Sequence, residues 1–371
     1  MKTQASRRLD VQGLRALAVL VVVLFHAGLP VPGGFIGVDV FFVISGFVIT
    51  QLLVREREVN GRVDLRRFYL RRYKRLTPAL GLMIAVVMLV MIPLGSPLGQ
   101  QELAAETGIG ALLLLANFVI AASTGGYFDL RAETNPLLNT WSLSVEEQFY
   151  LFLPIFLYLI FKFSKKINFC LILIFTVSLI SFAINIFFIS KGHRDPIFFL
   201  FPARVWQFGA GAFFAFFPYL KIKAIWLDTC YLLAAISLIF VNFLFKISFL
   251  PDATLMTIGA ILILLKKNNK KNFFSIIFNF RPIIFLGLIS YSLYLWHWPV
   301  ISFIKYINIE PINLSHMMIG VTITLLLSIM SWKLIEQPFL YKYTNNRLLG
   351  FVCFSYLFLI LFSTATIFSK N

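Results

Sequence analysis

Apolar runs of about 17 to 22 residues recur along the chain, parted by short polar stretches. At 1.5 Å rise per residue, a helix needs about 20 such residues to cross a hydrocarbon layer of roughly 30 Å, so each run is long enough to span a membrane. The runs at 13–30, 34–54, 76–94, 145–162, 168–190, 197–217, 225–245, 249–265, 282–304 and 314–335 predict ten core spans, and 348–368 predicts one more near the C-terminus. Segment 107–122 is apolar as well, but a full crossing there would put the lysines at 162, 165 and 166 on the wrong side. It is therefore expected as a re-entrant or interfacial helix. The predicted fold is all-α: a polytopic transmembrane bundle forming one membrane domain over residues 1–340, with a linker and an extra helix over 341–371.

Composition strengthens this picture. Of 371 residues 59% are hydrophobic and 13% charged, and the mean hydropathy is +0.86, values that a soluble domain does not reach. The net charge of +17 does not call for nucleic acid, because Lys and Arg cluster between the apolar runs in the positive-inside pattern. That pattern puts the N-terminus in the cytoplasm and the C-terminus outside, across an inner membrane, with lipid as the first partner. Cys170, Cys230 and Cys353 each lie within an apolar run, without the spacing of a disulfide framework or a metal site. Arg15 interrupts the first run and Pro30 to Gly34 follow it where a cleavage site would need small residues, so the first helix is expected to be retained.

Ionisable side chains inside spans are costly, and each is a functional candidate set against an ordinary role in packing or snorkelling. Arg15 and His26 are 11 residues apart, which places them on one helix face about 16 Å apart along the axis. A tight Pro/Gly turn then leads to Asp39, close enough in sequence to hold the His26 imidazole and raise its basicity. Glu146 and Glu147 open the span at 145. Ser144 and Glu147 have capping-box spacing, which makes Glu147 the more structural and Glu146 the more functional of the two. His297 lies in the outer half of its span and Arg204 near the outer end of another, so His26, Asp39, Glu146, Arg204 and His297 are expected in one outer layer. On the inner side, Arg72 and Arg75 have helical i, i+3 spacing and, with Arg71, suit phosphate oxygens; the alternative is ordinary topology signal.

These stretches resemble the integral-membrane acyltransferase family 3. The likeness runs from about Arg8 to Pro338 and rests on Arg15 and His26, GGFIGVDVFFVISGF from Gly33, FYLRRYKRLTP from Phe68, NPLLNTWSLSVEEQFYLFLP from Asn135, SYSLYLWHWP from Ser290 and SWKLIEQPF from Ser331, in the family's order. It implies transfer of an acyl group, acetyl being the commonest, from acyl-CoA to a hydroxyl of a surface saccharide. It further implies a catalytic role for His26 with support from Arg15 and Asp39, a functional acid at Glu146 or Glu147, and acyl-CoA held by Arg71, Arg72 and Arg75. Glu147, Arg204, Tyr294 and His297 are the expected acceptor contacts. Acetyl-CoA is the expected donor and no metal is expected. In PARVWQFGAG, from Pro202, Gln207 stands where the family more often has Glu, so no acidic role is assigned there. Members with the WHWP signature often continue into an SGNH-hydrolase-type domain; the sequence here stops at Asn371, so the expectation is a stand-alone member, a truncated one, or one whose SGNH-type domain is a separate partner chain. The competing class is a proton-coupled transporter or flippase, against which no paired halves suggest inverted repeats.

Overall fold

The computed structural model describes residues 8–341 except 32, 95–98, 124–129, 165, 193–196, 218, 221–228, 232, 234, 237–252, 267–277, 279 and 308–312. Most of the expected span at 225–245 and all of that at 348–368 lie outside the described residues. The helices are α1 (Leu9–His26), α2 (Gly37–Asn60), α3 (Leu65–Leu94), α4 (Gln100–Leu112), α5 (Ala116–Ser123), α6 (Leu130–Glu133), α7 (Thr140–Phe163), α8 (Ile167–Ser190), α9 (Val205–Phe214), α10 (Thr254–Leu265), α11 (Arg281–Leu288), α12 (Ser290–Ile307), α13 (Leu314–Ser331) and α14 (Gln337–Tyr341). Among the described residues there is no named strand. Among the described residues six helical segments are long and apolar enough to cross a membrane: α1, Gly34–Asn60, α3, α7, α8 and Leu314–Tyr341. A seventh arises if α11 and α12, interrupted at Ile289, count as one broken span.

Several boundaries differ from those expected, each for a local reason. The charged stretch at 55–75, outside both expected spans, is helical apart from the turn at 61–64. Helix α2 continues to Asn60 and closes on Gly61, whose left-handed φ of 71° lets its N–H reach Arg57 O at 2.8 Å. Helix α3 then starts at Leu65, with the Asp64 carboxylate accepting the Arg67 N–H at 3.0 Å. The apolar segment at 107–122 falls into α4 and α5, broken where Leu114 takes a φ of 64°, and neither piece is long enough to cross. The expected span at 197–217 contains only the ten-residue α9, after a 3-10 turn at Phe201–Ala203. Helix α7 starts at Thr140, so Ser144 lies inside it, and the capping-box reading with Glu147 is corrected. Ser144 Oγ instead accepts the N–H of Ala116, the first residue of α5, at 3.2 Å.

The chain folds into two compact units, each drawn from several stretches: the described residues of Met1–Val63, Phe156–Lys191 and Pro202–Ser290, and those of Asp64–Ile155, Gly192–Phe201 and Tyr291–Asn371. In the first, Leu14, Val43, Phe47, Met256 and Leu264 form a core between α1, α2 and α10. Helices α2 and α9 pack backbone to backbone. A Cβ at Gly46 would fall on the Phe208 carbonyl, and one at Gly211 on the Val43 carbonyl, the small-residue contact that brings helices close in a bilayer. In the second unit α3, the end of α4, α7 and the start of α12 line a cavity. Gln148 fastens α7 to the α4–α5 break, donating to Leu114 O at 2.7 Å and to Asn117 Oδ1 at 3.0 Å.

Candidate active site

The close α2–α9 crossing fixes the electrostatics of the first unit. Asp39, in the first turn of α2, and Arg204, the residue before α9, are exposed by only 6% and 7%. Arg204 Nη1 meets Asp39 Oδ1 at 3.0 Å, and Gln207 Nε2 donates to the same oxygen at 2.5 Å. Asp39, the expected support for His26, thus accepts from Arg204 at the start of α9 and from Gln207 within it. Arg204, an expected acceptor contact, takes part in a buried ion pair. Removing an ion pair from water is costly unless further hydrogen bonds complete it, and Gln207 supplies one. This is a role for an amide at the position where an acid was considered. Arg15 Nε donates to Ser290 Oγ at 3.1 Å. His26 ends α1, half-buried, with its ring edge-on to Phe25 at 5.2 Å between centroids.

The second unit holds the cavity, about 320 Å³ in volume, lined by Tyr69, Arg72, Tyr73 and Thr77 of α3, Glu146, Glu147 and Tyr150 of α7, and Tyr291 of α12, with leucines, Ala111, Thr140 and Ser144 completing its wall. The Arg72 guanidinium lies over the Tyr150 ring at 4.5 Å and faces Phe68 at 5.7 Å; such cation–π contacts hold a guanidinium in place without neutralising it. Tyr150 Oη donates to Glu146 Oε1, and Tyr69 Oη donates to Leu151 O at 2.7 Å. Arg72 and the two acids, expected at opposite faces of the membrane, therefore share one cavity. The reason is the early start of α7: from Thr140, Glu146 and Glu147 lie about 9–10 Å along the helix instead of at its rim. Of the three arginines expected to act together, Arg72 lines this cavity, Arg71 is exposed, and Arg75 is not among the lining residues. The arrangement offers one cation and two carboxyls to a ligand in an otherwise apolar, tyrosine-rimmed space.

Tyr294 and His297 belong to a clasp between the loop before α7 and α12. The Tyr294 hydroxyl is 2.6 Å from Ser142 Oγ and donates to Asn139 O at 3.3 Å. Asn139 Nδ2 returns to Tyr294 O at 2.7 Å, and Trp298 Nε1 donates to Asn135 O at 2.7 Å. His297 is fully buried, its Nδ1 at 2.7 Å from Tyr294 O, which makes Nδ1 the protonated nitrogen. Reasoning from sequence missed Tyr69, Tyr150 and Tyr291 as cavity residues; their spacing from Arg72 and Glu146 along α3 and α7 was the available signal for the first two. Among the described residues no three His, Cys, Asp or Glu side chains are grouped as metal ligands.

A family model described as an acyltransferase domain matches residues 8–333, which takes in helices of both units. The chain belongs to this acyltransferase family. Among relatives of the acyltransferase, peptidoglycan O-acetyltransferase OatA of Listeria monocytogenes is 29% identical over 344 residues, 89% of this chain and 55% of that protein. A putative O-acetyltransferase of Staphylococcus aureus strain COL is 32% identical over 345 residues, 88% of this chain and 56% of its own length. The putative membrane-bound transacylase BcsY of Komagataeibacter xylinus is 33% identical over 336 residues, 90% of this chain and 83% of that protein. The chain spans about half the length of the first two relatives. No solved structure matches.

Proposed function

We propose that the chain transfers an acyl group, acetyl in the first instance, from cytoplasmic acyl-CoA to a hydroxyl of an extracytoplasmic saccharide of the bacterial envelope: O-antigen, lipopolysaccharide, peptidoglycan or exopolysaccharide. The observation that carries this reading is the match of residues 8–333 to an acyltransferase domain, joined by relatives named as O-acetyltransferases. In this reading the protein resides in the inner membrane with its N-terminus in the cytoplasm, which the distribution of Lys and Arg supports. Arg72, fixed over Tyr150 and facing the cavity, supplies the cation for a donor phosphate, with Arg71 and Arg75 extending the basic surface along the start of α3. The apolar walls suit the thioester arm.

His26 acts on the acceptor. It takes the proton of the sugar hydroxyl as the oxygen attacks the thioester carbonyl; the C–S bond breaks and the CoA thiolate leaves with a proton. In the relay variant, His26 first carries the acyl group on a ring nitrogen and then passes it to the sugar oxygen. Asp39 and Arg15 support His26, Glu146 serves as the acid of the second unit, and Glu147, Arg204, Tyr294 and His297 shape the acceptor side; for Arg204 and Tyr294 that contribution is made through their bonds to Asp39 and Ser142. The competing class, a proton-coupled transporter or flippase, draws on the same membrane-embedded Arg72, Glu146 and Glu147. It predicts movement of a glycan without a new ester.

The deciding experiment is mass spectrometry of envelope saccharides from a strain lacking the protein, complemented with wild type or His26→Ala at equal membrane abundance. Wild type is expected to restore an O-acetyl ester and His26→Ala to leave it absent. Restoration by both removes His26 from the chemistry, and restoration by neither removes the acyltransferase reading.

A further inference from the structure

The SWKLIEQPF stretch has no part in the chemistry so far. Helix α13 runs into a π turn, Trp332–Glu336, before continuing as α14. Pro338 explains the wider turn: it has no N–H for the carbonyl of Leu334, and its ring would clash there in a regular α-helix. One extra residue in the turn relieves both problems, and such turns gather at functional positions. The turn leaves Lys333 and Leu334 exposed and carries Glu336 inward, to 6% exposure. A carboxyl placed inside a span marks a function by default.

Glu336 Oε1 accepts the hydroxyl of Ser292, two residues into α12. The residue before it, Tyr291, lines the cavity shared by Arg72, Glu146 and Glu147 and donates its own hydroxyl to Leu76 O of α3 at 2.8 Å. The π turn also packs against α3. The first turn of α12 is thus tied on one side to α3 through Tyr291 and on the other to the π turn through Ser292.

We infer that Glu336 is a positioning residue for the donor cavity: by holding Ser292 it sets the neighbouring Tyr291 as a wall of the space that Arg72 and the two acids share. The inference rests on the acyl-CoA reading of that cavity and adds to it a residue that touches neither donor nor acceptor. A wall that shifts by about 1 Å weakens binding of a ligand seated against it while leaving the reacting groups untouched.

The test measures transfer from radiolabelled acetyl-CoA to the glycans of inside-out membrane vesicles carrying wild type, Ser292→Ala, Glu336→Ala, Glu336→Gln, the Ser292→Ala/Glu336→Ala double variant or Lys333→Ala. Ser292→Ala and Glu336→Ala are each expected to raise the KM for acetyl-CoA about tenfold with kcat within about twofold. Glu336→Gln keeps an oxygen that accepts from Ser292 and is expected to return KM to within about threefold of wild type; the double variant should match the single ones, as for two ends of one bond. Lys333→Ala, on the exposed side of the same turn, should match wild type. Should Glu336→Ala fail to reach the membrane, the milder Ser292→Ala decides. Unchanged KM in Ser292→Ala overturns the positioning role, as does a Glu336→Gln variant as impaired as Glu336→Ala, since the carboxyl would then act through its proton or charge. In both cases wild-type transfer leaves the acyltransferase reading standing. Absence of transfer by wild type overturns that reading and the positioning role with it.

Discussion

In the first unit, Asp39 and Arg204 meet at 3.0 Å with Gln207 on the same carboxylate oxygen, all three nearly or wholly out of contact with solvent. In the second, Arg72 rests on the Tyr150 ring, and it and Glu146 and Glu147 face a cavity of about 320 Å³. Both units put strong charges into a membrane-embedded fold, yet they use them differently. The first pairs its charges directly, fixing one helix crossing. The second anchors its guanidinium with aromatic faces, beside two carboxyls, in the wall of a cavity. An ionisable group in a span is a functional candidate by default, but the comparison shows that its partners decide which kind: a satisfied pair is scaffold for a site, and a charge aimed into a cavity is the place for a ligand.

The strongest challenge to this division is Arg204→Ala, which strands a buried carboxylate and is expected to cost about 3–5 kcal/mol. The readout is thermal unfolding of the detergent-solubilised protein, and adding Asp39→Asn should recover much of the loss because the uncompensated charge is removed. Next comes Gly46→Leu, which forces a side chain into the Phe208 backbone and is expected to destabilise by about 1–3 kcal/mol, without any loss of affinity for acyl donor in the molecules that fold. Arg72→Ala is read in binding instead, with affinity for acetyl-CoA reduced about tenfold in equilibrium binding, while Arg71→Ala, on the exposed face of α3, stays within about twofold. The smallest effect belongs to Tyr294→Phe. Losing the bond to Ser142 should cost about 1 kcal/mol of stability and leave the KM for the donor unchanged, because the clasp holds the start of α7 rather than the ligand.

The spans of α1, α2, α3, α7, α8 and α13 were legible because each is a long apolar run, and hydrophobicity alone selects a helix that can cross a bilayer. Their ends were less so. Hydropathy stops at the first cluster of arginines, whereas the backbone of α3 continues through residues 66–75, since long basic side chains reach away from the apolar layer without breaking the helix. The depth of Glu146 was misjudged for a related reason. Ser144 has the sequence of a cap, but a capping residue is defined by where the helix starts, and the Asn135 side chain, accepting the Leu137 N–H at 2.9 Å, shapes the turn that lets α7 start at Thr140. Asp39 was recognised as a candidate from its own span, but its partners lie 165 and 168 residues away. Register between helices is set by close contacts such as that at Gly46, which no local pattern encodes. The π turn at Glu336 was likewise hidden: Pro338 signals a break, but not which side chain the break turns inward.

The division between scaffold charge and ligand-facing charge is tested most directly by accessibility in the cavity itself. A single cysteine is placed by Thr77→Cys, in a background where Cys170, Cys230 and Cys353 are replaced by Ser, and its alkylation rate by a small maleimide is measured in inside-out vesicles with and without acetyl-CoA. Thr77 lines the cavity beside Arg72, so acetyl-CoA is expected to slow labelling at least about fivefold, and Arg72→Ala to abolish that protection at the same donor concentration. Labelling that is rapid and indifferent to acetyl-CoA, with transfer activity intact, would contradict the assignment of this cavity to the donor.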